Sequence, residues 1–163
     1  MSTIFFAKSI QDHDTGNYIR KWKEKIAEAF PNSSIIDVSE VEKQIVEDGR
    51  MVGTVEYVGG SYKYGKEWIS WEDLYGLERK YYFPIIDRCD FVIAAEAWNH
   101  PRRGKYTTKV IVEMEYALLK GKKVFGINIS DWAIKEITGD DLIKIRKEKE
   151  DEIVFLDFLR RSL

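Results

Sequence analysis

The sequence predicts an α/β protein with a mainly parallel sheet and helices on both of its faces. Two observations carry this. Short runs rich in β-formers alternate with segments of helical periodicity, and the connections between successive runs have crossover length. The 163 residues suffice for one domain that buries roughly two-thirds of its unfolded surface, so 1–163 is read as a single domain.

The elements follow in order. Thr3–Ala7 (TIFFA) is a short apolar run and reads as a buried strand. Lys8–Gly16 is polar and reads as a loop. From Asn17 to Phe30, the residues Tyr18, Ile19, Trp22, Ile26 and Phe30 recur at helical spacing until Pro31 stops the pattern. Ser34–Val38 is the second strand, and Glu40–Asp48 is expected as a short helix. Arg50–Val58 and Ser61–Trp68 flank Gly59-Gly60, which predicts an inserted hairpin. Trp71–Arg88 reads as a helix that Pro84 must kink or break. Phe91–Ala95 is the third core strand, followed by the loop Trp98–Tyr106. Thr107–Lys120 is a helix closed by Gly121, Lys123–Ile127 is the fourth strand, and the tail from Asp140 is helical.

Open sheets of this kind bind ligands at the carboxyl ends of strands, where the strand order reverses. The loops Lys8–Gly16, Glu96–Tyr106 and Asn128–Trp132 are expected to meet there.

Composition removes several classes. Lys+Arg is 26 and Asp+Glu is 28, a formal charge of -2, which argues against a dedicated nucleic-acid binder. Cys89 is the single cysteine, which excludes an internal disulfide and a cysteine zinc site. His13 and His100 are the only histidines, too few for a histidine metal centre, and no metal is expected. There is no Walker A sequence, no G-x-G-x-x-G and no G-x-S-x-G, and no cofactor is expected. No apolar run is long enough to span a bilayer. Met1-Ser2-Thr3 leads straight into a strand, so the expectation is a cytoplasmic protein with no signal peptide.

Two segments carry chemistry. Arg102, Arg103 and Lys105 precede a helix whose start holds Thr107 and Thr108, a composition suited either to a solvated turn or to an anion site. In that helix, Val110, Ile111, Met114, Ala117 and Leu118 form one apolar face. Val112, Tyr116 and Leu119 form another, with Glu113 and Glu115 at the seams. The second stripe needs cover, for which a second subunit is expected. The glutamates either snorkel to solvent or pair with lysines such as Lys109 and Lys120, or one of them serves as a catalytic carboxylate in a half-buried cleft.

Asp90-Phe-Val-Ile-Ala-Ala, a loop, and then Glu113-Met-Glu-Tyr-Ala-Leu-Leu-Lys-Gly-Lys-Lys-Val together resemble the nucleoside 2-deoxyribosyltransferase superfamily. Ile4-Phe-Phe-Ala-Lys-Ser-Ile resembles the first strand and loop of its deoxynucleoside 5'-monophosphate N-glycosidases. The resemblance implies a Rossmann-like (flavodoxin-like) three-layer sandwich, a homo-oligomer and a small-molecule nucleoside or nucleotide ligand. It implies cleavage of the N-glycosidic bond by hydrolysis or deoxyribosyl transfer, with Glu113 as nucleophile. Ser9 and Ile10 fall on the first substrate loop, and Thr107 on a hydroxyl that contacts a 5'-phosphate. The family's first-strand tyrosine is Phe5 here, and the glycine four residues before the nucleophile is Lys109.

The candidate substrate-binding set is therefore Ser9, Ile10, Asp12, Glu96, Arg102, Arg103, Thr107 and Asn128, with Asp12, Asp14 or Glu96 as the acid that helps the base leave. The competing expectation is a non-catalytic nucleotide-binding or sensing module on the same fold. A third is an interaction protein that uses the aromatic residues Tyr57, Tyr62, Tyr64, Trp68 and Trp71.

Overall fold

The computed structural model describes residues 1–8, 16–36, 41, 55–58, 61–64, 76–98 and 103–147. In chain order the elements are β1 (Ser2–Ala7), α1 (Gly16–Ala29), β2 (Ser33–Ile35), β3 (Val55–Val58) and β4 (Ser61–Tyr64). A π-helical turn (Glu78–Tyr82) then runs into α2 (Phe83–Arg88), followed by β5 (Phe91–Ala95), α3 (Thr108–Leu119), β6 (Lys123–Ile127), β7 (Ile134–Ile137) and α4 (Gly139–Lys147).

The main sheet has the order β2–β1–β5–β6–β7. β1 pairs in parallel with β2 and with β5, and β5 in parallel with β6. The four expected core strands are thus parallel neighbours. The fifth strand, β7, is antiparallel to β6 and was not foreseen. Its sequence, Ile-Lys-Glu-Ile, is short and half charged, as suits an edge strand that must not recruit another chain. β3 and β4 pair antiparallel as a separate two-stranded sheet, and the Gly59-Gly60 turn lies outside the described residues. The expected helix Glu40–Asp48 also lies outside them, except for Val41.

Both faces of the sheet are apolar, because alternate residues of each strand point to opposite sides. Ile4, Phe6, Ile93, Ala95 and Ile127 pack with Trp22 and Ile26 of α1. Phe5, Ala7, Val92, Ala94 and Val124 pack under α2 and α3. This is the α/β arrangement with a mainly parallel sheet that the sequence predicts.

Proline explains the π-helical turn. Pro84 sits in the first turn of α2, where its missing N–H is tolerated, and the wider turn just before it accommodates the change of bonding. Lys122 donates to the carbonyls of Asp87 and Cys89, which satisfies the end of α2. Asp90 accepts from Thr3 N–H at 2.6 Å, which ties the start of β5 to β1 and holds this carboxyl below its usual range.

α3 ends as foreseen. Gly121 adopts φ 75°, Lys122 N–H bonds Ala117 O, and Gly121 N–H bonds Leu118 O, which together form a Schellman motif. Cover for its second stripe comes from within the chain, and this corrects the expectation built on that stripe. The Tyr116 ring stacks on Phe83 with centroids 3.9 Å apart, and its hydroxyl donates to Asp87 at 2.7 Å. Val112 is buried and Leu142 of α4 joins the same core, so only Leu119, 50% exposed, remains uncovered. The stripe therefore gives no ground for a subunit interface.

Gly126 of β6 lies beneath Tyr106. A Cβ at this position would stand 2.2 Å from the Tyr106 hydroxyl and 3.1 Å from Ile137 Cδ1. Gly126→Ala is expected to cost about 1–3 kcal/mol by overpacking. Adding Tyr106→Phe should recover part of that loss in a chemical denaturation series. Full destabilisation in the double variant would show that the hydroxyl is not the obstruction.

Candidate functional site at the carboxyl edge of the sheet

The strand order reverses between β1 and β5, so the crevice of interest lies beyond their carboxyl ends. Two of the three expected loops meet there. Glu96, just past β5, accepts the Ile129 N–H at 3.0 Å from the loop after β6. Trp98 and Trp132, from the same two loops, stack with centroids 6.1 Å apart. Of the first loop, Lys8 is described and lies close enough to Glu113 to act on its charge. Ser9, Ile10, Asp12, Asp14 and Arg102 lie outside the described residues, as do both histidines.

The loop after β5 is closed by two backbone bonds, Ala97 N–H to Lys105 O and Gly104 N–H to Ala97 O, with Gly104 at φ 81°. Arg103 is exposed, and its guanidinium lies 4.1 Å from the centre of the Trp98 ring. Asn128 closes the β6–β7 turn through its backbone, bonding Ala133 and Trp132. Trp132 holds φ 61°, a left-handed conformation that costs about 1–2 kcal/mol for a bulky residue and is supported here by contacts with Trp98 and Trp22. This tryptophan pair was not read from the sequence, because the two residues come from different loops.

Thr107 is the N-cap of α3, yet its hydroxyl makes no capping bond. Its Oγ1 is buried with no hydrogen-bond partner. One turn on, the helix carries a buried charge cluster. Lys109 Nζ stands 2.8 Å from Glu113 Oε1, 3.5 Å from Glu78 Oε1 and 4.1 Å from the centre of the Tyr82 ring. Glu113 and Glu78 have 0% of their surface exposed. At 3.5 Å Lys109 is an ion-pair partner of Glu78 but too distant for a good hydrogen bond, and neither Glu78 oxygen has one. Glu113 Oε2 is likewise buried without a hydrogen bond.

Burial, and then the charge of Glu113, hold Glu78 protonated well above the usual carboxylate range, against the pull of Lys109. Burial also raises Glu113, opposed by Lys109 and by Lys8. Burial alone would lower Lys109, but the two carboxyls outweigh it and push its proton affinity well up. The 2.8 Å contact makes Glu113 the more readily ionised of the two acids. Glu96, half-buried, is raised by desolvation, partly offset by the Ile129 amide.

Glu113 thus pairs with Lys109, and the i, i+4 spacing made that legible. Glu115 does not pair with Lys120. It faces α4, where Arg146 approaches to 4.0 Å and both groups are buried. Glu78 was missed, since nothing in its local sequence marks it apart from an ordinary helix glutamate.

Among the described residues no group of three or more His, Cys, Asp or Glu is placed to hold a metal ion, and no helix is long and apolar enough to cross a membrane. Comparison of the chain with protein-family models, curated proteins and solved structures gave no match.

Two stability predictions follow from the charges. A carboxyl whose folded-state proton affinity is raised stabilises the fold below its unfolded value, 4.5, and that contribution is lost as pH rises through the folded value. The melting temperature of Glu78→Gln minus that of the parent should therefore become more positive as pH rises from 5 to 8; a flat difference would show that Glu78 does not titrate in this way. Glu115→Ala, which removes the carboxylate from a buried ion pair with Arg146, should cost about 1–3 kcal/mol in urea denaturation.

Proposed function

We propose that this chain acts on the N-glycosidic bond of a nucleoside or nucleoside 5'-monophosphate, with Glu113 as the carboxylate at the anomeric carbon. The observation that carries this reading is the state of Glu113. Beside the crevice where the strand order reverses, one of its oxygens is held by Lys109 and the other has no hydrogen-bond partner. Its position is also the one that the superfamily resemblance assigns to the nucleophile.

In this reading the Glu113 carboxylate attacks the anomeric carbon as the bond to the base nitrogen breaks, through an oxocarbenium-like state. The base leaves with a proton from a carboxylic acid, for which Glu96 has a raised proton affinity. Water then releases the sugar. The unpaired Thr107 hydroxyl at the start of α3 suits a 5'-phosphate, which favours hydrolysis of a monophosphate over transfer to a second base. With this reading go a Rossmann-like sandwich, a cytoplasmic location and a homo-oligomer. For the oligomer the support is the resemblance alone.

One observation favours the alternative, a nucleotide-binding module without catalysis: Glu113 is wholly buried and already ion-paired. Incubation with a panel of nucleosides and 5'-monophosphates separates the two. Free base, abolished by Glu113→Gln with the melting temperature kept within a few degrees, supports the enzyme. A thermal shift with no product supports the binding module. Turnover that survives in Glu113→Gln would remove Glu113 from the chemistry.

A further inference from the structure

The placement of Lys109 runs against the local energetics of a helix on three counts. It lies in the first turn of α3, where the helix dipole disfavours a cation. It precedes its acidic partner by four residues, the weaker order for such a pair. Its side chain is only 10% exposed, so the ammonium is largely desolvated. Helix stability explains none of this.

The surroundings give it another task. Glu78 and the Tyr82 ring flank the ammonium from the π-helical turn, so it is fixed by groups outside its own helix. A helical side chain leans toward the N-terminus, which brings Glu113 back onto Lys109. The contact occupies Oε1 of Glu113 and leaves Oε2 without a hydrogen bond. Phe5 on the first strand has no hydroxyl with which to do the same.

We infer that Lys109 is the positioning residue of this site: clamped by Glu78 and Tyr82, it fixes the direction of the Glu113 carboxylate and supplies the charge that lets a sealed carboxylate persist. The inference rests on the reading of Glu113 as the functional carboxylate. Among the described residues the titratable and charged groups that bear on Glu113 are Lys109 on its own helix, Glu78 from the π-helical turn, Tyr82 through its contact with Lys109, and Lys8 at the end of β1. Removal of the Lys109 charge leaves Glu113 buried, with Lys8 as the other cation acting on it among the described residues, and a carboxyl so placed takes up a proton.

The test has a readout that does not depend on turnover. Protein labelled with carboxyl-13C glutamate is titrated by NMR, and Glu113 is assigned by the signal lost in Glu113→Gln. Lys109→Met should raise the Glu113 midpoint by about one pH unit or more, and Lys109→Arg should leave it within about half a unit. Should Lys109→Met not fold, the neutral Lys109→Gln takes its place. An unchanged midpoint in the neutral variant overturns the inference.

With deoxynucleoside 5'-monophosphates as probe, the neutral variant should lose roughly 100-fold in kcat at pH 7 with KM changed less than about threefold, and should regain turnover toward pH 9. A change confined to KM overturns the inference. If the parent protein releases base from no nucleotide, the catalytic reading of Glu113 fails, and the titration still decides what Lys109 does to its carboxyl.

Discussion

The burial of α3 is the constraint on which the rest of the structure depends. Every residue from Lys109 to Ala117 is buried, because the helix is wedged between the sheet on one side and α2 and α4 on the other. A helix in that position has no solvent face for charged residues, so Lys109, Glu113 and Glu115 must be matched inside the protein. Their partners recruit the neighbouring elements. Arg146 draws α4 against one flank, and Asp87 of α2 accepts the Tyr116 hydroxyl. Glu78 brings the π-helical turn to the other flank. The outer helices are positioned as much by these polar demands as by apolar packing.

The two buried charge clusters on α3 differ in kind. Glu115 and Arg146 form a buried ion pair that joins α3 to α4. Glu78, Lys109 and Glu113 set two acids against one base. Burial, and then the charge of Glu113, favour the protonated form of Glu78, while Lys109 and Lys8 favour the ionised form of Glu113. Buried ionic groups are weak stabilisers, often replaceable by apolar side chains without loss. In the proposed reading this cluster serves the chemistry of Glu113 and not the stability of the fold.

The strands, α1 and the limits of α3 were legible because each rests on local pattern. β-Rich runs, helical periodicity and a glycine that can take φ 75° all act within a few residues. β7 was not legible, since Ile-Lys-Glu-Ile becomes a strand only beside β6. Cover for Val112 and Tyr116 was misassigned for a related reason: a stripe in sequence shows that cover is needed, not that Phe83 and Leu142 supply it. In the site, a lysine partner for Glu113 was one of the alternatives open in the sequence, and the i, i+4 spacing of Lys109 is what the structure uses. Glu78, 31 positions before Lys109, reaches it only because the π-helical turn packs against α3.

Three carboxyls on this edge hold their protons more tightly than free glutamate, but they are not equivalent as acids. Glu78 lies wholly buried beside the Lys109 ammonium and has no exposed surface from which to hand a proton to a leaving group. Its place is to balance charge. Glu113 is pulled toward ionisation by Lys109 and Lys8, which suits a nucleophile and not a donor. Glu96 is half-buried on the loop beyond β5, and the Ile129 amide anchors one of its oxygens. Within the proposed reaction the acid that donates must be anchored yet not sealed in; among these three carboxyls Glu96 meets that condition, and the other two candidate acids, Asp12 and Asp14, lie outside the described residues.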